Sequence, residues 1–380
     1  MTDRRRAPVY AAGFVTAFGA HSIAAGLGGY TEAEHASLLT LGVLLAVYDG
    51  AEVVLKPVFG ALADRVGPRP VLLGGLGAFA VASAAFVLAG DPALVGLARL
   101  GQGAAAAAFS PAAGALVARL APKTGHGRAF GGYGAWKGLG YTLGPVLGGV
   151  LTTVGGYPLL FATLGGLALA VACWAAVVVP VVEPLPRTRQ TVLDLARRLA
   201  TRGFLSPTAT LAGATAAVAV GVGFLPVAGA SLGPLPTGAV VSLLAAAGAL
   251  VQPWAGRARD AGRIGDAPGM TAGLAIAALG LAAPTVLPGI AGLLVAALTI
   301  GVGTGLATPI GFAHLAATTP KERLGQTVGA AEVGRELGDA GGPLAVGALA
   351  AAGSLSLGLA GLAGVLAVFA VAVGISARRQ

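Results

Sequence analysis

The sequence predicts an all-α polytopic membrane protein with twelve transmembrane helices in two pseudo-symmetric six-helix bundles. Three observations predict it. Apolar runs of helical length recur along the chain, basic residues gather at alternate connections, and the two halves of the chain repeat each other.

Of the 380 residues 56% are hydrophobic and 10% are charged, against roughly 25% charged in soluble domains. No bulk water reaches the bilayer core, so backbone polar groups there must be satisfied inside helices or closed barrels. The apolar runs are about 20 residues or longer, the length of a spanning helix and twice that of a barrel strand. The expected spans are 8–29, 37–59, 70–89, 92–118, 128–154, 157–181, 204–228, 237–256, 268–286, 289–317, 325–351 and 354–376. Short connections leave little room for a soluble catalytic domain. The start, Met1 to Arg6 followed by an apolar stretch, has the order of a secretory signal. Its apolar part is too long and too many spans follow, so an uncleaved first helix is expected. The single cysteine, Cys173, excludes an internal disulfide and a cysteine-based metal site.

Twenty of the 24 basic residues fall at connections on one side of this map, and none at the others. They are Arg4, Arg5 and Arg6; Arg65 and Arg69; Arg119, Lys123 and Arg128; Arg187, Arg189, Arg197, Arg198 and Arg202; Arg257, Arg259 and Arg263; Lys321 and Arg323; and Arg378 and Arg379. Basic loops stay cytoplasmic. The expected location is therefore the cytoplasmic (inner) membrane, with both termini and a middle loop at 183–203 in the cytoplasm. The net charge of +9 reports that orientation and not a nucleic-acid partner.

A shift of 198 residues aligns Pro111 with Pro309, Pro122 with Pro320, Lys123 with Lys321, Gly127 with Gly325 and Gly131 with Gly329. It also aligns Lys137 with Arg335, Gly140 with Gly338, and Gly144-Pro145 with Gly342-Pro343. A shift of 196 aligns Pro57, Gly60 and Asp64 with Pro253, Gly256 and Asp260. The repeat divides the chain into an N-terminal bundle at 1–182 and a C-terminal bundle at 204–380. Duplicated halves that rock about a central site are the architecture of many carriers.

Gly60-Ala-Leu-Ala-Asp64-Arg65-Val-Gly67-Pro-Arg69, which joins the second and third spans, resembles the G-x-L-x-D-R-x-G-R-[RK] loop of the major facilitator superfamily. Gly256-Arg-Ala-Arg-Asp260 is a degenerate second copy. Leu97-Ala-Arg99-Leu-Gly-Gln102-Gly103 resembles the fourth-helix arginine motif of that superfamily. Gly140-Tyr-Thr-Leu-Gly144-Pro145-Val-Leu-Gly148-Gly149 resembles a fifth-helix motif of its drug:proton antiporter branch. The resemblance implies a secondary transporter working by alternating access, with gating residues Gly60, Asp64, Arg65, Gly67 and Arg69. It implies a relay role for Arg99, with Gln102 beside it, and a bend built from Gly140, Gly144, Pro145, Gly148 and Gly149. Relatives in that branch often carry an acid in the first helix. Here that helix offers only His21, so the proton site is expected elsewhere.

Charges inside the spans are the candidates. A mid-bilayer charge costs roughly 2.5–3.5 kcal/mol, so Glu332, Arg335, Glu336 and Asp339 facing lipid would cost on the order of 10 kcal/mol. At 100° per residue the four fall within about a 100° arc, which must face a polar interior. Asp49, Glu52 and Lys56 share one face of the second helix at spacings of three and four. On the resemblance these two helices meet across the halves. Glu332, Glu336, Asp339, Asp49 and Glu52 are then either proton carriers, with Arg335 their modulator, or members of a salt-bridged gate. An acid at position 64 can cap the positive end of a neighbouring helix.

Two functions compete. The walls expected from the first, fourth, seventh and tenth helices carry mainly Ala, Gly and Leu with Phe14 and Phe18, which suits proton-coupled efflux of small apolar or amphipathic compounds. Arg99, Lys137 and Arg335 instead suit a carrier for a small organic or inorganic anion. His21 and His314 read as hydrogen-bonded packing residues or as substrate or relay groups. The partners are a small-molecule substrate, protons and the lipid bilayer, with a monomer expected. No nucleophile–base pair, cofactor motif or metal-ligand spacing points to an enzyme or a bound metal.

Overall fold

The computed structural model describes residues 2–33, 38–88, 92–182, 200–232 and 234–377. The middle loop, apart from 200–203, and the C-terminal Arg378 and Arg379 lie outside them, as do the side chains of His21, Asp49, Lys123, Pro145 and Arg202.

Among the described residues the chain forms twelve long helices and no strand. The N-terminal set is α1 (Thr2–Ala33), α2 (Leu38–Val66), α3 (Pro68–Leu88) and α4 (Pro92–Arg119), followed by one helical stretch, His126–Val178. Its dihedrals leave the helical region at Gly155 and Gly156, the latter at φ +67. That break divides it into α5 (126–154) and α6 (157–178). The remaining helices are α7 (Arg202–Ala228), α8 (Pro234–Asp260), α9 (Asp266–Val286), α10 (Gly289–Thr318), α11 (Leu324–Ala352) and α12 (Leu355–Ala377). Eight stretches among the described residues are long and apolar enough to cross a membrane. α3, α4 and α8 begin on prolines, whose fixed φ and missing N–H cost nothing in a first helical turn.

One expectation of local structure is corrected. Gly60 to Val66 are the last two turns of α2, not a loop, and the joint to α3 is Gly67 alone. Ala-Leu-Ala favours helix, and only a residue free to adopt φ +95 can then reverse the chain in one step. In His126–Val178 the break falls at Gly155–Gly156 while helical dihedrals continue through Gly144 and Pro145. Membrane helices tolerate such a proline because neighbouring groups and small local adjustments satisfy the freed carbonyl.

The chain packs as two compact units. One comprises Met1–Ala121, Trp136–Arg187 and Pro320–Val333. In it α4 packs against α1, α2 and α3. Phe79 and Phe109 meet edge to face at 5.9 Å, beside fully buried Leu72, Leu76, Leu116, Leu160 and Leu164. The other comprises Pro122–Ala135, Thr188–Thr319 and Gly334–Gln380. There α10 packs against α7, α8 and α9, and α12 against α7 and α9. Its core runs through Leu274, Leu281, Ile300, Ile310 and Leu366. Lipid is as apolar as leucine, so packing and small interfacial residues, not hydrophobic burial, hold such helices together.

Candidate functional site

The end of α2 grips the start of α11. Asp64 Oδ1 accepts the backbone N–H of Gly325 at 2.9 Å, and Oδ2 accepts that of Gln326 at 2.8 Å. Arg119, at the end of α4, donates to Asp64 Oδ1 at 3.1 Å and to the Lys321 carbonyl at 3.4 Å. The first N–H groups of a helix have no partner within it, and the helix dipole favours an anion there. Burial pushes the Asp64 carboxyl above the ordinary aspartate value of 3.8, against the downward pull of Gln326, Gly325 and Arg119. The backbones approach closely because Gly60 has no side chain. A Cβ there would stand 2.5 Å from the Gly325 carbonyl oxygen. Arg65 is exposed, while Arg69 donates to the Ala176 carbonyl of α6.

The repeat copy does the same for α5. Asp260 Oδ1 accepts the N–H of Gly127 at 2.8 Å and Oδ2 that of Arg128 at 2.7 Å. Gly256 abuts the Gly127 carbonyl, and a Cβ on Gly131 would stand 2.5 Å from the Gln252 carbonyl oxygen. The flanking charges differ. Arg259 donates to Asp266 through Nε at 2.6 Å and Nη2 at 3.1 Å, and to Asp260 through Nη1 at 3.4 Å. His314 Nδ1 lies 2.8 Å from Asp266 Oδ2. Arg119, Arg259 and Asp266 were absent from the candidates because their partners sit on other helices.

Above the first crossing, Lys56 Nζ lies 2.6 Å from Glu52 and 3.9 Å from Glu332, and all three residues are at most 5% exposed. The guanidinium of Arg99, also buried, stacks 4.5 Å from the ring centroid of Tyr48. Gln102 donates to the Ser83 hydroxyl at 2.9 Å. Glu52, Lys56, Glu332, Arg99 and Gln102 all belong to the first compact unit. Lys137 is buried in α5.

The charged stripe of α11 divides. Glu332 turns to Lys56, whereas Arg335 donates through Nε to the Thr215 hydroxyl at 3.3 Å. Its guanidinium lies 6.0 Å from the Phe312 ring, which stacks on Phe130 at 5.6 Å. Lys56 thus stands beside Glu332 as a cation. Glu336 is half-buried and Asp339 exposed.

In α5, Gly140 and Gly148 are contact points with α1. A Cβ on Gly140 would meet the Phe14 carbonyl oxygen at 2.6 Å, and one on Gly148 the Ser22 Cβ at 2.7 Å. Gly144 is buried, and Gly149 has nothing within 4 Å of its Cβ position. Among the described residues no cluster of His, Cys, Asp or Glu is placed to hold a metal ion.

Over 139 residues, 35% of its length, the chain is 37% identical to the class G tetracycline resistance protein of Vibrio anguillarum. Over 114 residues it is 29% identical to the quinolone resistance protein NorA of Staphylococcus aureus. These alignments cover 34% and 29% of those proteins, so the chain spans about a third of the relatives it matches. Its fold is similar to the human organic anion transporter MFSD10, with a TM-score of 0.81 at 16% identity over 98% of this chain and 99% of that one. The Escherichia coli fucose:proton symporter FucP gives 0.76 at 13% identity, covering 97% of this chain and 98% of that one. The family model of the Major Facilitator Superfamily matches residues 9–260, and the chain is a multi-pass membrane protein belonging to that superfamily.

Proposed function

We propose that this transporter exports small apolar or amphipathic compounds in exchange for protons, by alternation of the halves 1–182 and 204–380 as a monomer. The observation that carries the reading is the buried triad of Glu52, Lys56 and Glu332. Two carboxylates and one ammonium sum to −1 when both acids are ionised. Either acid can take up a proton while the other keeps the ammonium paired. Opening the α2–α11 crossing would admit water and release that proton. The resistance functions in the names of partial relatives and the apolar walls support the drug-like substrate class.

The test is transport in proteoliposomes with an imposed pH gradient. Glu332→Gln and Glu52→Gln are each measured for gradient-driven accumulation and for energy-independent exchange. Loss of accumulation with retained exchange in either variant supports the triad, since the conformational cycle survives without the proton. Wild-type accumulation in both would defeat it.

A second reading, a carrier for small anions, is favoured by Arg335 poised between Thr215 and Phe312. Thermal-shift titration with anionic metabolites against cationic dyes separates the two. Stabilisation by anions that disappears in Arg335→Gln would favour the second.

A further inference from the structure

We propose that Asp266 and His314 form a proton-reading brace that sets how firmly Asp260 holds α5. The two helix-start grips are built alike at the carboxylate and differently behind it. Asp64 is backed by Arg119, which carries its charge at every physiological pH. Asp260 shares its cation. Arg259 gives Asp266 two bonds of 2.6 and 3.1 Å and Asp260 a single long one of 3.4 Å. The third contact on Asp266 is the imidazole of His314, 2.8 Å away.

The charge count decides the behaviour. Two carboxylates and one guanidinium sum to −1 beside a neutral imidazole and to zero beside an imidazolium. The Nδ1–H can donate in either form, so the hydrogen bond survives and only the charge changes. Protonated, His314 meets part of the demand of Asp266, releasing Arg259 toward Asp260 and offsetting repulsion between the carboxylates. Deprotonated, it leaves two anions competing for one guanidinium. The pairing is complete while His314 carries a second proton and is weaker without it. Histidine is the side chain whose charge changes between about pH 5 and 8.

Each packed element contributes its charges. α9 supplies Asp266, and α8 supplies Arg259 and Asp260, with Arg257 exposed. Beyond α8, Arg263 is exposed in the connection to α9. α7 carries Arg202, whose side chain lies outside the described residues. On α5 Arg128 is exposed and His126, the other nearby histidine, is buried.

The brace needs no substrate or proton gradient, so its test is independent of proton-driven export. Amide hydrogen exchange is measured on the purified full chain at about pH 6 and about pH 8, corrected for intrinsic exchange rates. The amides of Gly127 and Arg128, held by Asp260, report the grip. A charge at a helix start supports about a two- to fivefold greater protection at the lower pH in the wild type. His314→Gln and Asp266→Asn should each flatten that difference, the second serving if the first does not fold. His126→Gln should leave it intact. A pH difference that survives both His314→Gln and Asp266→Asn, or that disappears in His126→Gln, overturns the brace.

Discussion

Asp64 and Asp260 act alike across the repeat, each carboxylate accepting two consecutive backbone N–H groups at the first turn of a helix. The pairs gripped, Gly325–Gln326 and Gly127–Arg128, are themselves repeat mates. Each grip lies beside a glycine-lined crossing, so carboxylate and close approach form one device used twice.

Asp64→Asn gives a prediction with a definite sign. The carboxyl is raised above 3.8 mainly by burial. Its contribution to stability is therefore fully present below the ordinary value and lost as pH rises through the raised one. Asparagine stays neutral and still caps a helix well. At about pH 7 the variant should melt at or above the wild-type temperature, with the gap closing toward about pH 4. Transport should nevertheless fall, on the order of fivefold, because ionisation no longer helps return the group to water. Melting well below wild type at neutral pH would contradict the account.

Gly60→Val should abolish most transport while leaving the helical content intact. Its Cβ would collide with backbone, the Gly325 carbonyl oxygen, which no rotamer change relieves. Gly74→Ala is the control, since a Cβ there meets nothing within 4 Å. It should be neutral, or more stable by up to about 1 kcal/mol from helix propensity. Equal transport in the two variants would make the crossing ordinary.

Lys56→Met should destabilise the protein by about 3–5 kcal/mol, the usual consequence of breaking a buried ion pair from one side. Adding Glu52→Gln removes the acid 2.6 Å away and should restore much of the loss. Thermal denaturation of single and double variants in detergent measures it. An additive double variant would mean that the two groups do not interact.

Topology is tested by labelling intact cells from outside, with Cys173→Ala as background. Gln190→Cys should stay unlabelled until the membrane is permeabilised, and Glu32→Cys should react. The reverse pattern would invert the expected orientation.

The sequence carried both grips, because the gripping aspartates with their glycines repeat at a shift of 196 and the gripped glycines at a shift of 198. Their electrostatic surroundings were not legible. Arg119 reaches Asp64 from α4, and no periodicity within either helix encodes that meeting. The Arg259–Asp266 pair depends on the reversal through Gly262 at φ +69 between α8 and α9. The arc on α11 groups Glu332 with Arg335 by angle. Angle alone does not say that one turns to Lys56 and the other to Thr215. Nor did the motif reveal that its first seven residues continue α2, since the same glycines serve a loop or a crossing.

The glycine crossings also determine what separating these helices would involve. Where Gly60 faces Gly325 and Gly256 faces Gly127, helices touch through backbone, so sliding them apart unlocks no interdigitated rotamers. These contacts resemble plain bearings more than meshed gears. The directional contacts to be broken are those of two carboxylates, which would exchange amide donors for water.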